Sequence, residues 1–245
     1  MAVFASLLNH IVDFALPPRC PVCGVTVEEN HRFCLGCWQR LNFLSEPWCA
    51  TCGRPFAFEH ANNTKCASCL TKPPDHDGVR AVVAYDKDSA SLAMGLKYGA
   101  RLGFADLIAN HMSRFVDEDL MNSIIVPVPL HRWRLWSRGF NQSVLIGRSL
   151  AKKHGIPIRT DLLIRNKATP PLRSMSSRQR LRIVSKAFRV PNSGKKLVSG
   201  KSIILVDDVY TSGSTANTCA KSLKRAGAKQ VVVFCWARVL KDDNV

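Results

Sequence analysis

The chain has 245 residues, 46% of them hydrophobic and 22% charged. This is ordinary globular composition, long enough for one or two domains with a buried core, and it leaves no case for a fibrous or low-complexity chain. The net charge of +17, from 35 Lys+Arg against 18 Asp+Glu, points to phosphorylated ligands or nucleic acid.

At the start of the chain, Val3, Leu7, His10 and Phe14, with Phe4, Leu8 and Ile11, fit one wide helical face. An amphipathic helix over residues 1–16 is expected, packed on the body of the protein, with attachment to a membrane surface as the alternative. The apolar stretch is interrupted by Asn9, His10 and Asp13 and lacks a cationic start. It also falls short of the roughly 20 apolar residues of a span. Neither a signal peptide nor a membrane span is expected, and the cytoplasm is the expected compartment.

Eight of the ten cysteines fall between Cys20 and Cys69, as four Cys-x-x-Cys pairs: Cys20/Cys23, Cys34/Cys37, Cys49/Cys52 and Cys66/Cys69. Each such turn aims two thiolates at one point, and a second turn closes a tetrahedral site. Eight cysteines make two sites, hence two structural zinc ions. Sequential pairing is expected, with Cys20, Cys23, Cys34 and Cys37 at one and Cys49, Cys52, Cys66 and Cys69 at the other; interleaved pairing is the alternative. Gly24 and Gly53 follow two of the pairs and suit a tight knuckle turn. The segment is too short and polar to hold itself together by burial, so metal would supply its folding energy. Disulfides and redox dithiols are the competing uses of these cysteines. Residues 71–77, TKPPDHD, read as a polar linker, dividing a zinc ribbon over 17–75 from a larger domain over 76–240.

From Gly78 the pattern alternates. Residues 79–86, 123–129, 161–166, 201–208 and 230–239 read as strands. Residues 91–98, 104–116, 141–155, 177–188 and 214–227 read as helices. This order indicates an α/β domain with a mostly parallel sheet covered on both faces. Cys219 and Cys235 fall in a helix and a strand and are expected to be buried packing residues.

The segment IILVDDVYTSGST, residues 203–215, is a buried strand that ends at Asp207 and Asp208, a loop of small hydroxylated residues around Gly213, and a helix start. Such a loop suits a ribose 5-phosphate. The backbone N–H groups of Thr211, Ser212, Gly213, Ser214 and Thr215 can wrap the phosphate, with their hydroxyls as further donors. The adjacent carboxylates can accept from the ribose 2′- and 3′-hydroxyls and balance a magnesium ion that comes with the ligand. An acidic strand end followed by a plain helix cap is the competing reading.

The segment resembles the phosphoribosyl-pyrophosphate (PRPP) motif of type I phosphoribosyltransferases. Residues 126–143, VPVPLHRWRLWSRGFNQS, resemble the pyrophosphate loop of that fold in the form found in the ComF family of competence-associated proteins. Residues 16–24, 33–38, 96–101 and 169–188 extend the resemblance to nearly the whole chain from 16 to 239. It implies a type I phosphoribosyltransferase fold preceded by a small double zinc ribbon. It further implies handling of incoming single-stranded DNA in natural transformation with a helicase-like partner, and PRPP with magnesium as ligand. Leu172 and Ile183 stand where the family usually has Gln and Asn, which departs from its pattern in that segment.

Between residues 129 and 190 there are fifteen Lys/Arg and one acid, Asp161. Arg138, with Asn141, Gln142 and Lys97, is a candidate for pyrophosphate or phosphate contact; capping is the alternative for Asn141 and Gln142. Trp133 and Trp136 interleave with Arg132 and Arg134, a pattern that stacks single-stranded bases while cations meet the backbone. Burial of the Trp rings against the zinc ribbon or a second copy is the alternative. Arg178, Arg180 and Arg182 add charge suited to a phosphate backbone. Two functions follow: a DNA-uptake protein binding PRPP-like ligands and single-stranded DNA, or a working phosphoribosyltransferase of nucleotide metabolism. The reaction of the latter would be displacement of pyrophosphate from C1′ of PRPP, and no Ser-His-Asp, Cys-His or paired-carboxylate catalytic set stands out.

Overall fold

The computed structural model describes residues 17–59, 61, 63–98, 102–166 and 187–240. The expected helix over 1–16, Arg178, Arg180 and Arg182 of the expected basic helix, and Leu172 and Ile183 lie outside the described residues.

The centre is a four-stranded sheet: β1 (Gly78–Ala84), β2 (Ile124–Pro127), β5 (Ser202–Tyr210) and β6 (Gln230–Arg238), in the order β1-β6-β5-β2. All three pairings are parallel. Alternation along β5 sets the two layers: Ile204 and Val206 pack in one buried cluster, Ile203 and Leu205 in the other. The first cluster holds α3 (Lys87–Tyr98), α4 (Phe104–Met112) and α6 (Gln142–His154) through Leu92, Ile108 and Ile146. The second holds α8 (Ser214–Arg225) through Cys219 and Leu223, and both Cys219 and Cys235 are fully buried.

Local chemistry explains the helix starts. At α3, Asp86 Oδ1 accepts from Ser89 N at 2.7 Å and Ser89 Oγ accepts from Asp86 N at 2.8 Å, a reciprocal cap. At α6, Asn141 Oδ1 accepts from Ser143 N at 3.0 Å. The run 161–166 gives only a two-residue strand, β3 (Ile164–Arg165), antiparallel to β4 (Phe188–Arg189). Phe188 is therefore strand, where a helix end was expected. Two further helices were not anticipated: α5 (Arg132–Arg138) and α7 (Asn192–Val198).

The cysteine-rich head is docked on the body. Its short helices α1 (Leu35–Arg40) and α2 (Ala67–Thr71) each follow the first cysteine of a pair. Between them, Leu44 N donates to Val82 O at 2.9 Å and Ala84 N to Asn42 O at 2.8 Å, so this segment covers the free edge of β1. Phe33, Trp38 and Phe43 gather around His111, and Phe33 stacks at 6.3 Å on Trp236, whose Nε1 donates to Ser89 O. Arg40 pairs with Asp88 at 2.7 Å across the same seam.

Gly53 marks the closest approach. Its φ is +66°, and a Cβ there would lie 2.3 Å from the Val79 carbonyl oxygen. Gly24 has φ +78° and nothing within 4 Å. Gly24→Ala is expected to cost only the left-handed penalty of about 1–2 kcal/mol. Gly53→Ala must also move the head off β1, so its thermal melting temperature should fall clearly further than that of Gly24→Ala.

Candidate functional site

The site is built at the carboxyl ends of parallel strands, where an open α/β sheet offers its crevice. The strand β5 continues through Asp207 and Asp208 to Tyr210, rather than ending at the carboxylates, because Val209 and Tyr210 still pair with Ala237 and Arg238 of β6. Asp208 is only 5% exposed and forms an ion pair with Lys97 of α3. Lys97 is thus held by a carboxylate. Asp207 Oδ1 accepts from Asp208 N at 2.9 Å and from Ser143 Oγ at 3.4 Å. Burial, then the charge of Asp208, pushes the Asp207 carboxyl up to about 8.

After Tyr210 the chain turns through Thr211 and Ser212, both exposed, to Gly213 at φ +73°. A Cβ at Gly213 would lie 2.2 Å from Tyr210 Oη, so glycine is needed on both counts. Gly213 precedes α8 without a side-chain cap. The first N–H groups of that helix have no intrahelical acceptor, and they lie beside the hydroxyls of Ser212 and Ser214, 2.9 Å apart. Thr211, Ser212, Gly213, Ser214 and Thr215 therefore form one loop at a positive helix end, next to Asp207 and Asp208.

On the other side of the crevice lies α5. None of its seven residues is buried. Arg138 donates to Tyr98 Oη at 3.1 Å and to Gln142 Oε1 at 3.4 Å, and its guanidinium sits 5.0 Å over the Tyr98 ring. Arg134, Ser137, Arg138 and Phe140 line a cleft of about 480 Å³ with Lys97 and Tyr98. Asn141 caps α6 through Oδ1 and donates from Nδ2 to Val128 O at 3.0 Å; Gln142 is buried. Trp133 and Trp136 are 68% and 77% exposed and lie against each other at 5.2 Å. Arg132 and Arg134 are exposed beside them.

The cysteines come together in sequential order. The sulfurs of Cys20, Cys23, Cys34 and Cys37 lie within 4.8 Å of one another, and so do those of Cys49, Cys52, Cys66 and Cys69. Cys23 and Cys34 are 3.6 Å apart and Cys52 and Cys66 3.7 Å. A tetrahedron with metal–sulfur bonds of about 2.3 Å has edges of roughly 3.8 Å, so both clusters fit zinc. Cys52 N and Cys66 N donate to Cys49 Sγ, which supports a thiolate there. Burial, then hydrogen bonding with Cys23, Cys34 and Cys20, pushes the Cys37 thiol up to about 12, a penalty that a central divalent cation removes.

Several residues at the loop escape the sequence reading. The linker TKPPDHD is docked on the larger domain. Asp75 N donates to Asn217 Oδ1, and Asn217 Nδ2 returns to Asp75 Oδ2 at 3.0 Å. His76 Nε2 meets Tyr210 Oη at 3.1 Å, and burial pushes the His76 imidazole down to about 4, so it stays neutral. Asp77 binds Val231 N at 2.6 Å and Lys224 at 2.7 Å. Arg238 donates to Cys52 O and lies over the Tyr210 ring at 5.6 Å. The available signal was four titratable residues in a seven-residue linker.

A parallel sheet with a strand-glycine-helix loop at its carboxyl edge, carrying two four-cysteine clusters, defines a phosphoribosyltransferase-type domain with a double zinc ribbon. Residues 11–70 match the double zinc ribbon domain and residues 141–242 the phosphoribosyl transferase domain. The chain is 31% identical over 232 residues to the DNA utilization protein YhgH of Escherichia coli (strain K12), covering 92% of this chain and 99% of that one. It is 28% identical to competence protein F of Haemophilus influenzae, covering 90% and 96%. It is 26% identical to competence protein ComFC of Streptococcus pneumoniae, covering 90% and 100%. The chain belongs to this family of DNA utilization and competence F proteins, the ComF family. Among solved structures, the glutamine PRPP amidotransferase of B. subtilis matches at TM-score 0.37 and 21% identity, over 54% of this chain and 25% of that one. Orotate phosphoribosyltransferase of Aeropyrum pernix matches at 0.33 and 15%, over 63% and 67%.

Two outcomes follow. Protein purified without chelator should carry about two zinc ions per chain by metal analysis, one for each set of four thiolates. Because the folded-state pKa of Asp207 is raised above its usual 3.8 to about 8, the folded state holds an extra proton between those values. Stability is then lost as pH rises from about 4 to 8. Asp207→Asn removes that loss. At pH 8, without ligand or magnesium, it should be more stable than wild type by at least roughly 1 kcal/mol, the worth of one pK unit, with the gain shrinking towards pH 4 in denaturant titrations.

Proposed function

We propose that this protein handles single-stranded DNA in the manner its family names imply, and that it does so with a loop built to bind a phosphorylated ribose. The observation that carries the reading is the pairing of an uncapped α8 start with two carboxylates at one strand end. The ribose 5-phosphate is placed on the N–H groups around Gly213, and the 2′- and 3′-hydroxyls on Asp207 and Asp208. A diphosphate at C1′ would then face the cleft of Lys97, Arg134 and Arg138. Magnesium would enter with that diphosphate and supply charge neutralisation there, with the carboxylates of Asp207 and Asp208 available to hold it. Asn141 holds the start of α6 beside the cleft, and Gln142 serves by steering Arg138.

The surface of α5 is the nucleic-acid part. Two exposed indoles between exposed arginines stack bases and meet phosphates without reading sequence. Arg178, Arg180 and Arg182 extend the same charge along the chain. A helicase-like partner and a reducing, cytoplasmic setting, in which eight thiolates can hold zinc, complete the proposal. No residue is assigned to bond-making chemistry: the groups in the crevice position a ligand and stabilise its charge.

Calorimetric titration with PRPP and magnesium, repeated with oligo(dT), tests both halves. Asp207→Asn/Asp208→Asn should abolish PRPP binding while the protein stays folded; undiminished binding would show the loop assignment wrong. Oligo(dT) affinity should fall steeply with salt, by roughly 0.7 log units per log salt for each phosphate neutralised. Arg132→Ala/Arg134→Ala should flatten that slope, and Trp133→Ala or Trp136→Ala should weaken binding with the slope kept. A salt-insensitive affinity removes the nucleic-acid half.

A further inference from the structure

A second cleft, of about 510 Å³, adjoins the phosphate loop and is left over by a ligand that ends at its 5′-phosphate. One wall is the loop itself, from Tyr210 to Ser214, with Asn217 at the first turn of α8. The facing wall is the second cysteine cluster and the end of α2, including Ser68, Thr71 and Lys72. Asp207 and Asp208 do not line it, and neither does any residue of the cleft of Lys97 and Arg138. The loop thus has two openings, one toward the ribose carboxylates and pyrophosphate side, the other toward the head. A ribose over Asp207 and Asp208 with its 5′-phosphate on the loop turns its 5′ side to this second cleft.

The lining is cationic. Arg54, Lys72 and Arg238 contribute charge, and no Asp or Glu lines it among the described residues. Filled with zinc, four thiolates leave the neighbouring cluster net negative, which these cations offset; the hydroxyls of Ser68, Thr71, Thr211 and Ser212 add neutral donors. Arg238 is buried, and its Nε has no hydrogen-bond partner among the described residues. An orphaned donor of this kind calls for an acceptor nearby, and a phosphate oxygen is one. The volume falls within the roughly 300–1,000 Å³ of small-ligand pockets.

We propose that this cleft is a second nucleotide subsite: the loop grips the phosphodiester of a single strand, and the cleft against the second cysteine cluster receives the nucleotide on its 5′ side. The inference rests on the phosphate-loop reading and gives it a substrate class, an oligonucleotide with at least one internal diester rather than a phosphomonoester alone. It also gives the docked head a task, as one wall of the strand's path, separate from the stacking surface of α5.

The test uses the zinc-loaded full chain and three probes: PRPP with magnesium, thymidine 5′-monophosphate, and the dinucleotide d(pTpT). The dinucleotide should displace PRPP at about tenfold lower concentration than the monophosphate, the worth of one added charged hydrogen bond. Lys72→Glu should erase most of that gain and leave PRPP affinity unchanged. Lys72→Ala should lose part of it without placing a new charge beside the zinc, and Lys72→Arg should keep it. Equal displacement by the two thymidine probes overturns the subsite. So does a loss of PRPP affinity in Lys72→Glu equal to the loss for d(pTpT), or binding of d(pTpT) that leaves PRPP in place. Absence of PRPP and monophosphate binding in the wild-type protein overturns the loop reading itself, a result distinct from all of these.

Discussion

Two adjacent carboxylates stand at the end of the central strand of a buried parallel sheet, and most of the crevice is an answer to them. Asp208 is nearly enclosed, and an unpaired charge in that position would be costly. Lys97 of α3 pairs with it. Among the described residues, Asp207 accepts from a peptide N–H and a distant hydroxyl, and burial, then the charge of Asp208, penalises its ionisation. The crevice is therefore short of positive charge and of hydroxyl donors at one side chain, while a few residues on it holds uncapped N–H groups short of an acceptor. A ligand that brings hydroxyls or a cation to Asp207 and an anion to the loop satisfies both shortages together.

The head answers a different constraint. A segment with eight cysteines and few apolar residues buries too little to fold by itself, so metal and docking share the task. Docking is tight where glycine permits it, at Gly53 against Val79, and broad where rings meet, at Phe33, Trp38, Phe43, His111 and Trp236. The consequence lies at the loop. Arg238 ties Cys52 to the ring of Tyr210, and His76 ties the linker to its hydroxyl. Tyr210 in turn occupies the space that makes Gly213 obligatory. The shape of the phosphate loop thus depends on contacts made by the zinc-binding segment and the linker.

The cysteine clusters and the loop were legible because each is local. Four Cys-x-x-Cys turns and a strand-glycine-helix motif carry their geometry within a few residues. Strand order was not legible: nothing in the residues of β6 announces that the last strand lies between β1 and β5. The end of β5 was misread because the acidic pair looks like a strand terminus, whereas pairing to Ala237 and Arg238 carries it two residues further. The helix α7 was missed because NSGKKLV has Ser, Gly and Lys where an apolar face would show, and only Gly194 and Val198 are buried. The linker is a loop as its prolines and acids indicate, but its docking was not legible, because Asp75, His76 and Asp77 are each fixed by a partner more than 100 positions away.

The helix α5 escaped the sequence reading as an element, and its form bears on how the two ligand sites relate. Two tryptophans and Leu135 stand in solvent on a helix that buries nothing, although such side chains ordinarily recover free energy by leaving water. The helix is held at its ends, by His131 accepting from Trp133 N and by Gly139 in the left-handed conformation, and by the reach of Arg138 to Tyr98 and Gln142. Arg134 and Arg138 face the cleft that Lys97 shares, and Lys97 is the partner of Asp208. A diphosphate in that cleft would compete for Lys97 and Arg138, loosening both the ion pair at the strand end and the anchor of the helix. A strand stacked on Trp133 and Trp136 would draw on Arg134 from the opposite side. Bound as proposed, the two ligands would share cations rather than atoms of one pocket, and each would alter the charge that the other meets.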